Sequence, residues 1–170
     1  MNYFELFEIP VSFKIDKALV KKKFYELSRK FHPDFFTDVT TTQKEAILEQ
    51  SSLINKAYKV FSNEDETIQY VLQLKKLLVE DEKFELPENF LMEMMELNEA
   101  ITDAKIDENE VLLAELKKTI LNVEKELYEV VEPIVENYQE DSTTQEAMLQ
   151  VKKYYFQKKY LSRIKDLLEK

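Results

Sequence analysis

Apolar residues recur along this chain at helical spacing. Val20, Phe24, Leu27 and Phe31 stand at offsets 0, 4, 7 and 11, which places them on one helical face. Ile47, Ser51, Ile54, Tyr58 and Phe61 repeat the pattern, and so do Phe90, Met94, Leu97 and Ile101. Punctuation between the stripes sets the predicted elements. A short helix over Tyr3 to Ile9 is capped by Asn2 and ended by Pro10. The second, Lys17 to Phe31, starts at Asp16 and must stop before Pro33, because a proline disfavours helical geometry in the residue ahead of it. A third helix spans Gln43 to Phe61, and a fourth, Asp65 to Leu78, carries Ile68, Val71, Leu72, Leu74 and Leu78. Pro87 suits the first position of a helix running from Glu88 to Asp103. A long helix follows from Asp107 to Tyr138, with Pro133 as an expected kink. Thr143 and Glu146 form a capping-box pattern that opens a last helix from Thr144 to Leu168.

This is the pattern of an all-α chain. Helices two and three, joined by a loop at residues 32–42, would form an antiparallel pair with the first short helix laid across them. The charged stretch Val79 to Pro87 reads as a linker, dividing the chain into residues 1–79 and a three-helix bundle at 80–170.

Composition narrows what such a fold can do. There is no cysteine, so there is no disulfide, thiol nucleophile or Cys-based metal ligation. There is no glycine, hence no Gly-rich phosphate loop or dinucleotide fingerprint. One histidine cannot build a multi-His metal site. Neither catalysis nor a cofactor is expected. No apolar run reaches the ~20 residues a membrane helix needs, and the N-terminus shows neither a secretory signal nor an Arg- and Ser-rich presequence, so a cytoplasmic protein without membrane contact is expected.

Charge is uneven. Lys14 to Lys30 holds seven basic and two acidic residues, Glu80 to Glu146 five basic and 21 acidic, and Ala147 to Lys170 seven basic and two acidic. An overall charge of -10 argues against general nucleic-acid binding, and the segregation suggests different surfaces for different partners. Tyr154, Tyr155, Phe156 and Tyr160 lie among Lys152, Lys153, Lys158 and Lys159, a mixture that can serve nucleic acid. Pairing of these lysines with the acidic helices of the bundle is the simpler role.

Two constellations remain. His32-Pro33-Asp34 holds the lone histidine and follows a helix crowded with Lys21, Lys22, Lys23, Arg29 and Lys30. In isolation it is a proline helix stop with a polar turn. On the helix from Glu88, the buried-type stripe leaves Leu91, Met92 and Met95 over, and Met92, Glu96, Glu99 and Asp103 form a second stripe. Adaptable methionines rimmed by carboxylates suit a partner-binding face, and equally a wide core face with a solvated acidic rim.

The tripeptide between two amphipathic helices, the leading Tyr3-Phe4-Glu5-Leu6-Phe7 and the later Ile54-Asn55-Lys56-Ala57-Tyr58 together resemble the J-domain of DnaJ-type co-chaperones over Asn2 to Tyr70. The resemblance implies that His32, Pro33 and Asp34, with Lys21, Lys22, Lys23, Arg29 and Lys30, contact a DnaK-type ATPase. One departure is Phe35, where many J-domains carry a basic residue. A J-domain followed directly by a helical domain, with no Gly/Phe-rich linker, is similar to the HscB-type co-chaperones of iron–sulfur cluster assembly, and Phe90-Leu91-Met92-Glu93 and Glu96-Leu97 extend the match. That family implies an L-shaped adaptor and a monomer, partnered by an HscA-type chaperone and an IscU-type cluster scaffold. Its scaffold patch maps onto Leu91, Met92, Met95, Glu96, Glu99, Asp103 and an aromatic of the last helix, Phe156 or its neighbour Tyr155. Some eukaryotic relatives carry a cysteine-rich zinc segment at the N-terminus, which is expected to be absent here. A general protein-folding J-protein and a purely structural helical adaptor are the alternative readings.

Overall fold

The computed structural model describes every residue from Met1 to Lys170 and contains seven α-helices, one 3-10 turn and no strand. The helices are α1 (Tyr3–Leu6), α2 (Lys17–Lys30), α3 (Thr41–Phe61), α4 (Glu64–Leu74), α5 (Glu88–Ile106), α6 (Glu110–Glu136) and α7 (Gln145–Glu169), with the turn at Pro33–Phe35. The chain forms two compact units. The first comprises Met1–Leu74 with Tyr138–Ser142, and the second Lys75–Asn137 with Thr143–Lys170.

The first unit is built on aromatic residues. Phe4, Phe7 and Phe61 are almost fully buried, with ring centroids 5.0 Å apart for Phe4–Phe61 and 5.3 Å for Phe7–Phe61. Burial of each such side chain is worth about 1.5–3 kcal/mol, so three rings carry much of a small domain's stability. Phe24 of α2 stacks on Tyr58 of α3 at 4.0 Å, which holds the long helices together behind their connecting loop. At the corner between α3 and α4, Asn63 caps Glu66 through its side chain, and the buried Thr67 hydroxyl lies 2.9 Å from the carbonyls of Val60 and Asn63. That satisfies the one buried polar side chain of the core.

In the second unit, Phe90, Met94, Leu97, Ile101 and Ala104 of α5 pack on Leu116, Ile120 and Val123 of α6 and on Leu161 and Ile164 of α7. Val131, Val135, Met148, Val151 and Tyr154 are also buried. Lys165 lies 3.7 Å from Glu124 of α6, a pairing between helices of the kind the charge pattern suggested, whereas Lys152 lies 2.7 Å from Glu82, which is in the segment before α5 and not on a helix. Lys105 donates instead to the Leu167 carbonyl.

Helix ends depart from the pattern-based expectation, and the absence of glycine explains several. α1 stops at Leu6 rather than Ile9, and α4 at Leu74 rather than Leu78, with Glu8 and Lys76 in the left-handed region beyond them at φ 54° and 59°. α5 runs on to Ile106 and α6 begins at Glu110, so three residues turn the chain between them. Asn109 caps α6 by accepting the Leu112 N–H at 3.1 Å. Thr144, not Thr143, caps α7, and α3 begins at Thr41, two residues before the expected start, capped by Thr40 in a capping box with Gln43. α6 continues unbroken through Pro133 to Glu136.

Candidate functional site

Two surfaces carry the residues singled out by sequence, one in each unit. The first is the loop after α2. Arg29 and Lys30 occupy the last turn, where cations suit the negative end of the helix dipole. His32 is extended, at φ -72° and ψ 128°, as a residue before proline should be. Pro33 opens the 3-10 turn, in which Phe35 N–H donates to His32 O and Phe36 N–H to Pro33 O, both at 3.1 Å. His32 Nδ1 accepts the Asp34 N–H at 3.2 Å. A ring nitrogen that accepts in this way presents its lone pair to the turn, and the other, Nε2, is left to donate. The Asp34 carboxylate, 3.6 Å from the same nitrogen, would pair with it only if the ring were protonated. The turn therefore spends the imidazole on shaping the backbone and leaves the Asp34 side chain 87% exposed.

Of the cations expected beside this loop, Lys21, Lys22, Arg29 and Lys30 are exposed. Lys30 also sits over the Phe31 ring at 5.4 Å, and Lys23 is half-buried and bound to Glu8 at 3.3 Å. Phe35 is 71% exposed, with its ring edge-on to His32 at 5.8 Å. Nowhere in the chain do three or more His, Asp or Glu side chains cluster as they would to hold a metal ion.

The second surface is the outer side of α5. Phe90, Met94, Leu97 and Ile101 face the core, as their spacing predicts. Met92 and Met95 do not: they are 55% and 60% exposed, and Glu96, Glu99 and Asp103 are exposed with them. Between a wide core face and an outward-facing patch, the structure has the second. Leu91 is half-buried and shares a recess of about 430 Å³ with Phe156. Tyr155 does not line that recess, although its ring lies 5.1 Å from Phe156.

Sequence reasoning missed Phe84, whose ring is parallel to that of Phe156 at 4.7 Å. The only available signal was an aromatic residue inside the run Glu80-Asp81-Glu82-Lys83-Phe84-Glu85. No helix of the structure is long and apolar enough to cross a membrane.

Comparison with known proteins gives matches to both halves. Residues 2–70 match the DnaJ domain model, and residues 86–169 match the model described as the HSCB C-terminal oligomerisation domain. The co-chaperone protein HscB of Buchnera aphidicola subsp. Acyrthosiphon pisum (strain Tuc7) is 42% identical over 106 residues, covering 62% of this chain and 61% of that protein. The match thus spans only about three fifths of that relative's length. The HscB homolog of Shewanella halifaxensis is 30% identical over 173 residues, covering 99% of both chains. Among solved structures, the chaperone HscB from Vibrio cholerae superposes with a TM-score of 0.76 at 25% identity, over 99% of this chain and 96% of the other. The human co-chaperone protein HscB superposes with a TM-score of 0.82 at 27% identity, over 99% and 81%.

Proposed function

The chain belongs to the HscB family of J-domain co-chaperones, and from that premise we propose that it couples two proteins: a DnaK- or HscA-type chaperone, whose ATPase it stimulates, and an IscU-type scaffold, which it delivers during iron–sulfur cluster assembly and transfer. The observation that carries this reading is that each unit presents its own exposed contact set. One is an acid-tipped turn ending a basic helix, and the other a methionine patch rimmed by carboxylates.

The J-domain loop acts by recognition. Pro33 and the bond to His32 Nδ1 fix the turn before contact, which lowers the entropy cost of docking. Asp34 can then form a charge-assisted pair with an arginine of the ATPase. Lys21, Lys22, Arg29 and Lys30 steer an acidic chaperone surface and speed encounter. The loop shifts the chaperone toward hydrolysis to the extent that it binds the hydrolysing state more tightly than the other. On α5, the flexible, polarizable Met92 and Met95 pack against an apolar scaffold surface, with Leu91 and Phe156 beside them. Glu96, Glu99 and Asp103 set the register against scaffold cations. Holding both proteins raises the effective concentration of the scaffold at the chaperone.

Steady-state hydrolysis by the partner chaperone, with and without the purified chain, tests the first half. Wild type raises the rate and His32→Gln does not; equal stimulation by both removes the J-domain reading. Titration calorimetry with the scaffold tests the second half. Met92→Ala combined with Met95→Ala weakens binding while ATPase stimulation by the protein alone is kept, and an unchanged affinity removes the patch assignment.

A further inference from the structure

The segment between α4 and α5 has no helix, yet it is fastened along α7. Glu82 takes the Lys152 ammonium at 2.7 Å, with only 21% and 14% of the two side chains exposed. Phe84 lies flat on Phe156, 2° from parallel, and Lys152 Nζ sits 5.7 Å from the centre of the Phe84 ring. One lysine thus holds the segment through an anion and an aromatic face at once, and removal of that anion would leave a poorly solvated cation.

This strap, with the first turn of α5 and part of α7, lines an open recess of about 430 Å³, large enough for a bulky partner side chain. Its walls are Phe84, Leu91, Phe156 and Tyr160. Lys83, Lys159 and Arg163 stand at its rim against one unpaired carboxylate, Glu85, since Glu82 is neutralised by Lys152. Met95 lies one turn beyond Leu91 on the same face of α5, which sets the exposed methionines beside the recess. From there the charge changes sign, to Glu96, Glu99 and Asp103. The outer surface of the bundle therefore has an apolar middle, an acidic end along α5 and a basic end over the recess.

We propose that this basic recess is a second half of the scaffold-binding face. It takes an apolar side chain from a scaffold segment that also carries carboxylates, with Phe84 as a contact residue and Lys159 and Arg163 as the partners of those carboxylates. The inference rests on the reading that this unit binds the scaffold, and it assigns the linker a place in the interface. An occupant with carboxylates is the one that complements three rim cations facing a single free anion.

The test compares affinities of the full-length protein for the purified cluster scaffold by titration calorimetry, at low and at raised salt. Phe84→Ala binds about tenfold more weakly, the loss typical of a buried aromatic anchor. Lys159→Glu with Arg163→Glu weakens binding by at least as much, and the difference from wild type shrinks as salt screens the charges. Both variants keep full stimulation of the chaperone ATPase by the protein alone. Lys159 and Arg163 are exposed, so their reversal probes the rim even if Phe84→Ala loosens the bundle. If Met92→Ala/Met95→Ala weakens binding while both recess variants bind like wild type, the recess is no part of the face and the proposal is overturned alone. If none of the three variants changes affinity, the scaffold assignment of this unit falls, and the proposal with it. Self-association of the wild-type chain in sedimentation runs that Lys159→Glu/Arg163→Glu abolishes would give the recess to a second copy, and would also overturn it.

Discussion

The imidazole of His32 and the backbone amide of Asp34 are hydrogen-bonded to each other at 3.2 Å, so one residue of the loop fixes the shape from which the other projects. The Asp34 carboxylate contributes nothing to that shape: its backbone N–H, not its side chain, is the donor. Asp34→Asn therefore leaves the turn and the fold intact, with thermal stability changed by less than about 0.5 kcal/mol, as for an ordinary surface substitution. It removes the charge offered to the chaperone, at a cost of about 2–5 kcal/mol if that charge is buried and paired on docking. Stimulation of ATP hydrolysis measured beside a circular-dichroism melt separates the two effects. An unchanged melt with lost stimulation is expected, and full stimulation would show that the carboxylate is not the contact.

The three methionines of α5 should behave in two ways. Met94 is fully buried among Phe90, Leu97, Ile120 and Leu161, and Met94→Ala costs about 2–5 kcal/mol of bundle stability through lost burial and the cavity left behind. Met92→Ala and Met95→Ala remove side chains that are already more than half in water, and change stability by less than about 0.5 kcal/mol. Urea midpoints of the three single variants check this. A large loss from Met92→Ala or Met95→Ala would mean that those residues belong to the core and not to a binding surface.

Part of that division was legible in the sequence through helical periodicity. Offsets of 0, 4, 7 and 11 from Phe90 define the buried side of α5, but periodicity alone left open whether Leu91, Met92 and Met95 widen that side or face outward. The loop tripeptide was legible for a similar reason, since proline restricts both itself and His32. The strap was not. Phe84 and Glu82 lie in a stretch without periodicity, and their partners Phe156 and Lys152 come about 70 residues later, a separation for which no local pattern exists. The C-termini of α1, α4 and α5 were also hidden, because the left-handed turn residue that glycine would have marked is here Glu8, Lys76 or Glu108.

Tyr70 gives the first unit a dependence on alkaline pH. Its ring stacks on Tyr3 at 4.5 Å, and its hydroxyl accepts the Tyr3 N–H at 2.9 Å. Burial raises its pKa above the ordinary 10.0; the Tyr3 N–H pulls it down by less, and the neighbouring Tyr3 and Glu5 push it further up. The folded chain thus holds this proton more tightly than the unfolded one. The associated stability is complete below the unfolded pKa of about 10 and is lost as pH rises through the higher folded value. Tyr70→Phe flattens this part of the profile and costs about 0.5–1.5 kcal/mol at neutral pH, because Tyr3 N–H loses its acceptor. Urea unfolding of both proteins in a series of buffers from neutral to alkaline pH measures it. Parallel profiles would mean that another group controls the alkaline transition.

Glu108 is the clearest place to improve the fold without touching either surface. It sits at φ 51° between α5 and α6, and the turn around it is closed by Glu108 N–H to Lys105 O at 3.2 Å and Asn109 N–H to Ala104 O at 2.9 Å. That is the hydrogen-bond pair of a left-handed helix C-terminus, which favours glycine because an L-residue with a Cβ pays roughly 1–2 kcal/mol in this region. Glycine also gains freedom in the unfolded chain, which offsets part of the benefit. The net expectation for Glu108→Gly is about 0.5–1 kcal/mol of added stability, or a rise of a few degrees in the melting of the bundle at about 2–4 °C per kcal/mol. Glu108→Val places a β-branched side chain in the same conformation and lowers the melting temperature. Scaffold affinity and ATPase stimulation are unchanged in both variants. A lower melting temperature for Glu108→Gly would show that the Glu108 side chain stabilises this corner by more than its backbone strain costs.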